Sequence, residues 1–67
     1  MLTMYVIQID EGFFVMLKQV LGDLHHSWKY ATEAKAEADA GSIRWAPQAR
    51  VRRIHRTQLG AAWQLVD

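Results

Sequence analysis

The sequence predicts an α+β domain: a mainly antiparallel sheet of four or five strands with one helix packed on a face, in the order ββ(β)αββ. Three observations carry this. MYVIQI, residues 4–9, is a β-branched and aromatic run with turn chemistry directly after it. EAKAEADA, behind Thr32, is a single dense block of strong helix formers. ARVRRIHR and AAWQLV, near the C-terminal end, return to strand composition on either side of the turn-forming QLG.

Taken in order, Met4–Ile9 forms the first strand. DEG at 10–12 makes a hairpin, with the glycine supplying the positive φ that a tight turn needs. Phe13–Val20 reads as the returning strand, Phe13, Val15 and Leu17 on one face and Phe14, Met16 and Lys18 on the other. A helical stripe of Phe13, Leu17, Val20, Leu21, Leu24 and Trp28 competes with it, and Gly22 and the preceding DEG argue for the strand. GDLHHS at 22–27 reads as a loop or irregular strand, and Trp28–Ala31 as a short pairing segment. Thr32 then caps the helix, and Glu33 sits where the helix dipole favours an acid. Gly41 and Ser42 stop it, and Pro47 marks the way out. The expected buried face is Ala34 and Ala38, with Ala36, Ala40 and Ile43 beside it, while Glu33, Lys35, Glu37 and Asp39 face water. Ala49–Arg56 forms the next strand. Ala61–Val66 closes the sheet with Ala61, Trp63 and Leu65 on one face.

At 67 residues the chain holds a single compact domain, residues 1–67, close to the size at which one core just suffices. There is no cysteine, which excludes disulfides and thiolate metal sites. MLTMYVIQIDEG lacks a basic leader and meets acids at Asp10 and Glu11, so the expected setting is the cytoplasm, with no membrane partner. No phosphate-binding loop, dinucleotide fingerprint or separated carboxylate pair is visible, and the expectation is a non-enzymatic chain without cofactor or metal. His25 and His26 diverge because they are adjacent. DLHHS holds the ingredients of a catalytic triad at a spacing too tight for the in-line geometry.

Charge is where the sequence is uneven. The formal net charge is +1, yet residues 1–43 carry three cations and six acids, whereas 44–66 carry five cations and no acid. The basic strand mixes charge and apolar residues on both faces if alternation is strict. A β-bulge at Arg52 and Arg53 would turn Val51 and Ile54 inward together and leave Arg50, Arg52, Arg53 and His55 in an outward row, alternate residues roughly 7 Å apart. Guanidinium groups so placed grip carboxylates or phosphates bidentately. The candidate partner-binding residues are therefore Arg50, Arg52, Arg53 and Arg56, with Arg44, Trp45 and His55 beside them. A solvated, aggregation-resistant strand is the plain alternative.

Near-neutral charge and an acidic helix favour a protein or ribonucleoprotein partner over nucleic acid, which stays as the second reading. Trp28, Tyr30, Trp45 and Trp63 exceed what so small a core absorbs. At least one is expected at an interface or in a homodimer.

The succession of YVIQID, a hairpin glycine, WKYATEAKAEADA, RVRRIHR and AAWQLV resembles small proteins of phages and mobile elements, and is similar in size and layout to several anti-CRISPR proteins. That resemblance implies a non-enzymatic inhibitor occupying a surface of a host ribonucleoprotein complex. It carries no functional residue onto this chain, whose acids are too few for a whole-surface imitation of DNA.

Overall fold

The computed structural model describes residues 1–15 and 20–66. Five strands and one helix follow one another as β1 (Leu2–Ile9), β2 (Gly12–Val15), β3 (Val20–Gly22), α1 (Glu33–Gly41), β4 (Arg50–Arg56) and β5 (Gln64–Val66). They form one antiparallel sheet in the order β3-β2-β1-β4-β5. This is the α+β architecture expected, but its third strand, β3, lies at Val20–Gly22 and not at Trp28–Ala31, where the short third was expected.

The longest and most apolar strand, β1, takes the centre. It pairs with β4 over its whole useful length, from Leu2 opposite Arg56 to Gln8 opposite Arg50. On its other side it pairs with β2 through Gln8 and Ile9 and, further back, with Tyr30 through reciprocal bonds at Tyr5 of 2.9 and 2.7 Å. Trp28–Ala31 thus does supply a pairing segment, reduced to one bridge. The two edge strands, β3 and β5, are three residues each, a length that offers little template for unwanted pairing.

Two local expectations need correction. The β1–β2 hairpin places its positive φ at Asp10 (55°), and Gly12 already lies in β2, opposite Ile9. Aspartate tolerates this region because its short side chain bonds locally. The strand expected over Phe13–Val20 is divided: Val20 belongs to β3, which runs back along β2 with Val15 opposite Val20 and Phe13 opposite Gly22. The positions 16–19 of that expected strand lie outside the described residues. At Phe13, Val20 and Leu21, among the described residues, the same pairing replaces the helical alternative.

Helix α1 begins as expected, with the Thr32 side chain accepting from the Lys35 amide at 3.2 Å, and ends with Ser42 as its C-cap. Its buried face is different. Ala36 is fully buried and Ala40 partly so, with Ile43 continuing the line, while Ala34 and Ala38 are exposed. The spacing 36, 40, 43 is the one that repeats on one side of a helix. Asp39 lies next to that line and is only partly exposed, not in open water.

The sheet is packed on both faces, and the register decides which residue goes where. Ile7, Ile9, Tyr30, Ala36, Ile43 and Ala46 form a core under the helix, joined by Tyr5, Ala40, Ala49 and Val51. On the opposite face Val6, Phe13 and Ile54 form a second cluster, closed by Met4, Leu24 and Trp63. The β1–β4 ladder runs without interruption through Val6 opposite Arg52 and Tyr5 opposite Arg53, so the bulge expected there is absent. Val51 and Ile54 are both turned inward, but into different cores. A strand whose two faces each meet a partial core needs no bulge to reconcile apolar and charged positions.

Candidate functional site

Strict alternation along β4 sorts its basic residues into two groups. Arg50, Arg52, Ile54 and Arg56 share the face opposite the helix, and Val51, Arg53 and His55 share the helix side. The single outward row of four expected from the sequence is therefore split by the sheet. Arg44 and Trp45 lie in the turn between α1 and β4, exposed, with their neighbours Ile43 and Ala46 buried in the helix-side core. They do not join the group formed by Arg50, Arg52 and Arg56. Trp28 (44% exposed) and Trp45 (50%) are the tryptophans left most open.

The face opposite the helix is built from alternate positions of four strands. β1 contributes Leu2, Met4, Val6 and Gln8; β2 contributes Phe13, opposite Gln8; β4 contributes the three arginines around Ile54; β5 contributes Leu65, opposite Ile54. No acid stands among these positions. Glu33 and Glu37 are exposed on α1, across the sheet. Of the basic residues of β4, Arg50, Arg52 and Arg56 thus lie across the sheet from the exposed acids of α1, and Arg53 and His55 lie on the helix side.

Gln8 organises one end of the face. Its Nε2 donates to the Asp10 carbonyl at 3.0 Å, and its Oε1 accepts from Arg52 Nη1 at 2.7 Å and from Arg50 Nη2 at 3.5 Å. At the other end the Arg56 guanidinium stacks over the Trp63 ring, 4.5 Å from its centroid, and Arg56 Nε is buried without a hydrogen-bond partner among the described residues. The cation–π contact and the apolar cover of Trp63 hold this arginine in place. The two ion pairs among the described residues for which distances are resolved, Asp23 with His26 and Lys35 with Asp39, leave Arg50 and Arg56 out.

The loop after β3 packs on this same face through Leu24. Lys29 ties it, donating to the carbonyls of Leu24, His25 and Ser27 at 3.0, 2.8 and 2.9 Å. Burial lowers the Lys29 pKa below its ordinary 10.5; Asp23 opposes the shift and the charge of Arg56 adds to it. Two cations therefore lie in each other's field at the Trp63 end. Asp23 Oδ1 accepts from the His26 amide at 2.9 Å and lies 2.8 Å from His26 Nδ1, and these bonds, the backbone one first, hold its carboxyl below the usual range. The hydroxyl of Ser27 is turned away from that pair, donating to the Leu24 carbonyl at 2.7 Å from a buried position. The three chemical ingredients of DLHHS thus build a turn. No group of three or more metal-ligating side chains converges among the described residues.

Gln8, Lys29 and Leu65 were not candidates from the sequence. Gln8 could have been found by asking which β1 residue the strand alternation places beside Arg50 and Arg52. Lys29 carries no such signal, because its three partners are backbone carbonyls. No helix among the described residues is long and apolar enough to cross a membrane. Comparison with protein-family models, with curated proteins and with solved structures finds no match for this chain.

Proposed function

We propose that this chain is a small non-enzymatic binding module that docks an acidic patch of a protein or ribonucleoprotein through the sheet face opposite its helix. The observation that carries the reading is the composition of that face. Arg50, Arg52 and Arg56 stand among Leu2, Leu65 and Trp63, with no acid between them among the described residues. Arginine with aromatic and aliphatic neighbours is the mixture that dominates contact energy at protein interfaces. The inhibitor role implied by the likeness to anti-CRISPR proteins belongs to the same proposal and rests on size and layout alone.

Weak, sequence-tolerant nucleic-acid binding by the same arginines is the second reading, favoured by the lack of acid among the described residues of the face. It is disfavoured by Trp63, whose ring is already covered by Arg56 where a base would stack. A gel-shift series in salt separates the two. Binding at low ionic strength that falls steeply with salt supports the second reading, and its absence removes it. For the first, the wild-type chain and the Arg50→Glu, Arg52→Glu double variant are used to capture proteins from a host lysate. Recovery of the same proteins by both would place the contact surface elsewhere.

A further inference from the structure

We propose that Arg56, held on Trp63 between Leu2 and Leu65, takes the carboxylate of an acidic side chain that has aliphatic neighbours in the partner's chain. The proposal rests on the binding face described above and names what one end of it recognises. The register supplies the layout. Leu2 stands opposite Arg56 across the β1–β4 ladder, their Cα atoms about 5 Å apart. Leu65 stands opposite Ile54, the next position of β4 on the same face, where Met4 is the partner from β1. Leu2 and Leu65 are 45% and 39% exposed, so this end presents aliphatic surface on both sides of one cation.

Arg56 is the unsettled group in this apolar setting. Its side chain is partly buried, its guanidinium lies over the Trp63 ring at 4.5 Å, and it makes no hydrogen bond or ion pair among the described residues. Stacking engages the face of a guanidinium and leaves the donors along its edge unspent. Nε is buried without an acceptor, whereas the two Nη groups are not enclosed with it. A carboxylate arriving from outside therefore meets the Nη edge and forms charge-assisted bonds beside apolar side chains, where such bonds are stronger than in water. The charge of Lys29 adds to the attraction, while its donors are spent on three carbonyls of its own loop. At the other end of the face Arg50 is exposed, and an ion pair there is worth little. The flanking leucines choose among anions: a nucleic-acid phosphate brings no aliphatic side chain to Leu2 and Leu65, and a protein segment does. Trp63 is thus a positioning residue, and Arg56 makes the contact.

The test is a titration of the isotope-labelled full chain with a capped peptide alternating leucine and glutamate, followed at the arginine Nε–H, the tryptophan Nε1–H and the leucine methyl resonances. A leucine–glutamine peptide, hexaglutamate and a short oligothymidylate are titrated separately. The leucine–glutamate peptide is expected to move Arg56, Trp63, Leu2 and Leu65 and to bind more tightly than the other three. Its affinity should fall about tenfold in Arg56→Gln and about three- to fivefold in Arg56→Lys, which keeps the charge and loses the planar fork. Leu2→Ser or Leu65→Ser should weaken it about three- to tenfold, and Arg53→Gln, on the other side of the sheet, should leave it unchanged. The wild-type shifts decide alone where a variant fails to fold. Shifts confined to Gln8 and Arg50 would overturn the site while the binding face stands, and no shift anywhere on the face would overturn both. Equal binding of the leucine–glutamine peptide would remove the carboxylate, and equal binding of hexaglutamate would remove the aliphatic neighbours. Tighter binding of oligothymidylate at the same residues would overturn the assignment in favour of nucleic acid.

Discussion

If Val51 and Ile54 feed different cores, they should be energetically independent despite being three residues apart on one strand. Val51 packs with Ile7, Ala36 and their neighbours under the helix, whereas Ile54, fully buried, packs with Val6 and Phe13 on the opposite face. Ile54→Val removes one methylene and is expected to cost about 1 kcal/mol. Val51→Ala, at a partly buried position, should cost about the same, and Val6→Ala roughly 2 kcal/mol. These are tolerable in a domain of this size, for which roughly 3–10 kcal/mol of total stability is ordinary. Urea unfolding followed by tryptophan fluorescence gives the two double-mutant cycles. Val6 with Ile54, inside one cluster, should couple by at least about 0.5 kcal/mol, and Val51 with Ile54 should add within about 0.3–0.5 kcal/mol. A large coupling between Val51 and Ile54 with none between Val6 and Ile54 would refute the uninterrupted register and restore a bulge at Arg52 and Arg53.

Three further outcomes follow from buried or bonded groups. The Tyr30 hydroxyl is buried without a hydrogen-bond partner among the described residues, and burial first, then the Asp39 carboxylate, pushes its pKa well above 10.0. The folded state therefore keeps a proton that the unfolded state releases. This contribution is intact below pH 10 and declines above it by about 1.4 kcal/mol per pH unit until the folded group ionises. Tyr30→Phe should be near neutral in stability at pH 7 and should remove that alkaline slope, and identical pH profiles of urea midpoints for the two proteins would contradict this. Lys29→Met strips the tie from three carbonyls of the loop bearing Leu24, and should cost about 1–3 kcal/mol with faster amide exchange at 24–27; unchanged exchange would show that the loop is held by packing alone. Thr32→Ala removes the cap on the Lys35 amide and should cost about 1 kcal/mol in urea unfolding, with a loss of helical circular dichroism; no change in either would mean that packing of Ala36 and Ile43 alone sets where the helix starts.

The elements whose signals are local were legible. Thr32 and the alanine-rich block announced α1, MYVIQI announced the central strand, and the turn before β5 announced itself in Gly60, which adopts a φ of 89°. What could not be read depended on what lies across the sheet. In EAKAEADA alanine recurs at every second position, a period that matches no single face of a helix, so Ala36 and Ala40 were indistinguishable from Ala34 and Ala38 until Tyr30 and Ile43 were placed. In RVRRIHR the mixture of charge and apolar residues conflicts with a single buried face, and only a bulge reconciles the two. With a core on each face, plain alternation satisfies both Val51 and Ile54. The candidate site changed with it: Arg50, Arg52 and Arg56 stay together, while Arg53 and His55 cross to the helix side. Gln8 entered only through the pairing of β1 with β4, a long-range contact that no local pattern encodes.

The central claim, that the partner is met by the sheet face opposite the helix, is tested most directly by arginine-specific dicarbonyl labelling of the free chain and of its captured complex, read residue by residue by mass spectrometry. Protection of Arg50, Arg52 and Arg56 in the complex, with Arg44 and Arg53 labelled as in the free chain, is the predicted result. Protection of Arg44 or Arg53 while Arg50 and Arg52 label unchanged would contradict it.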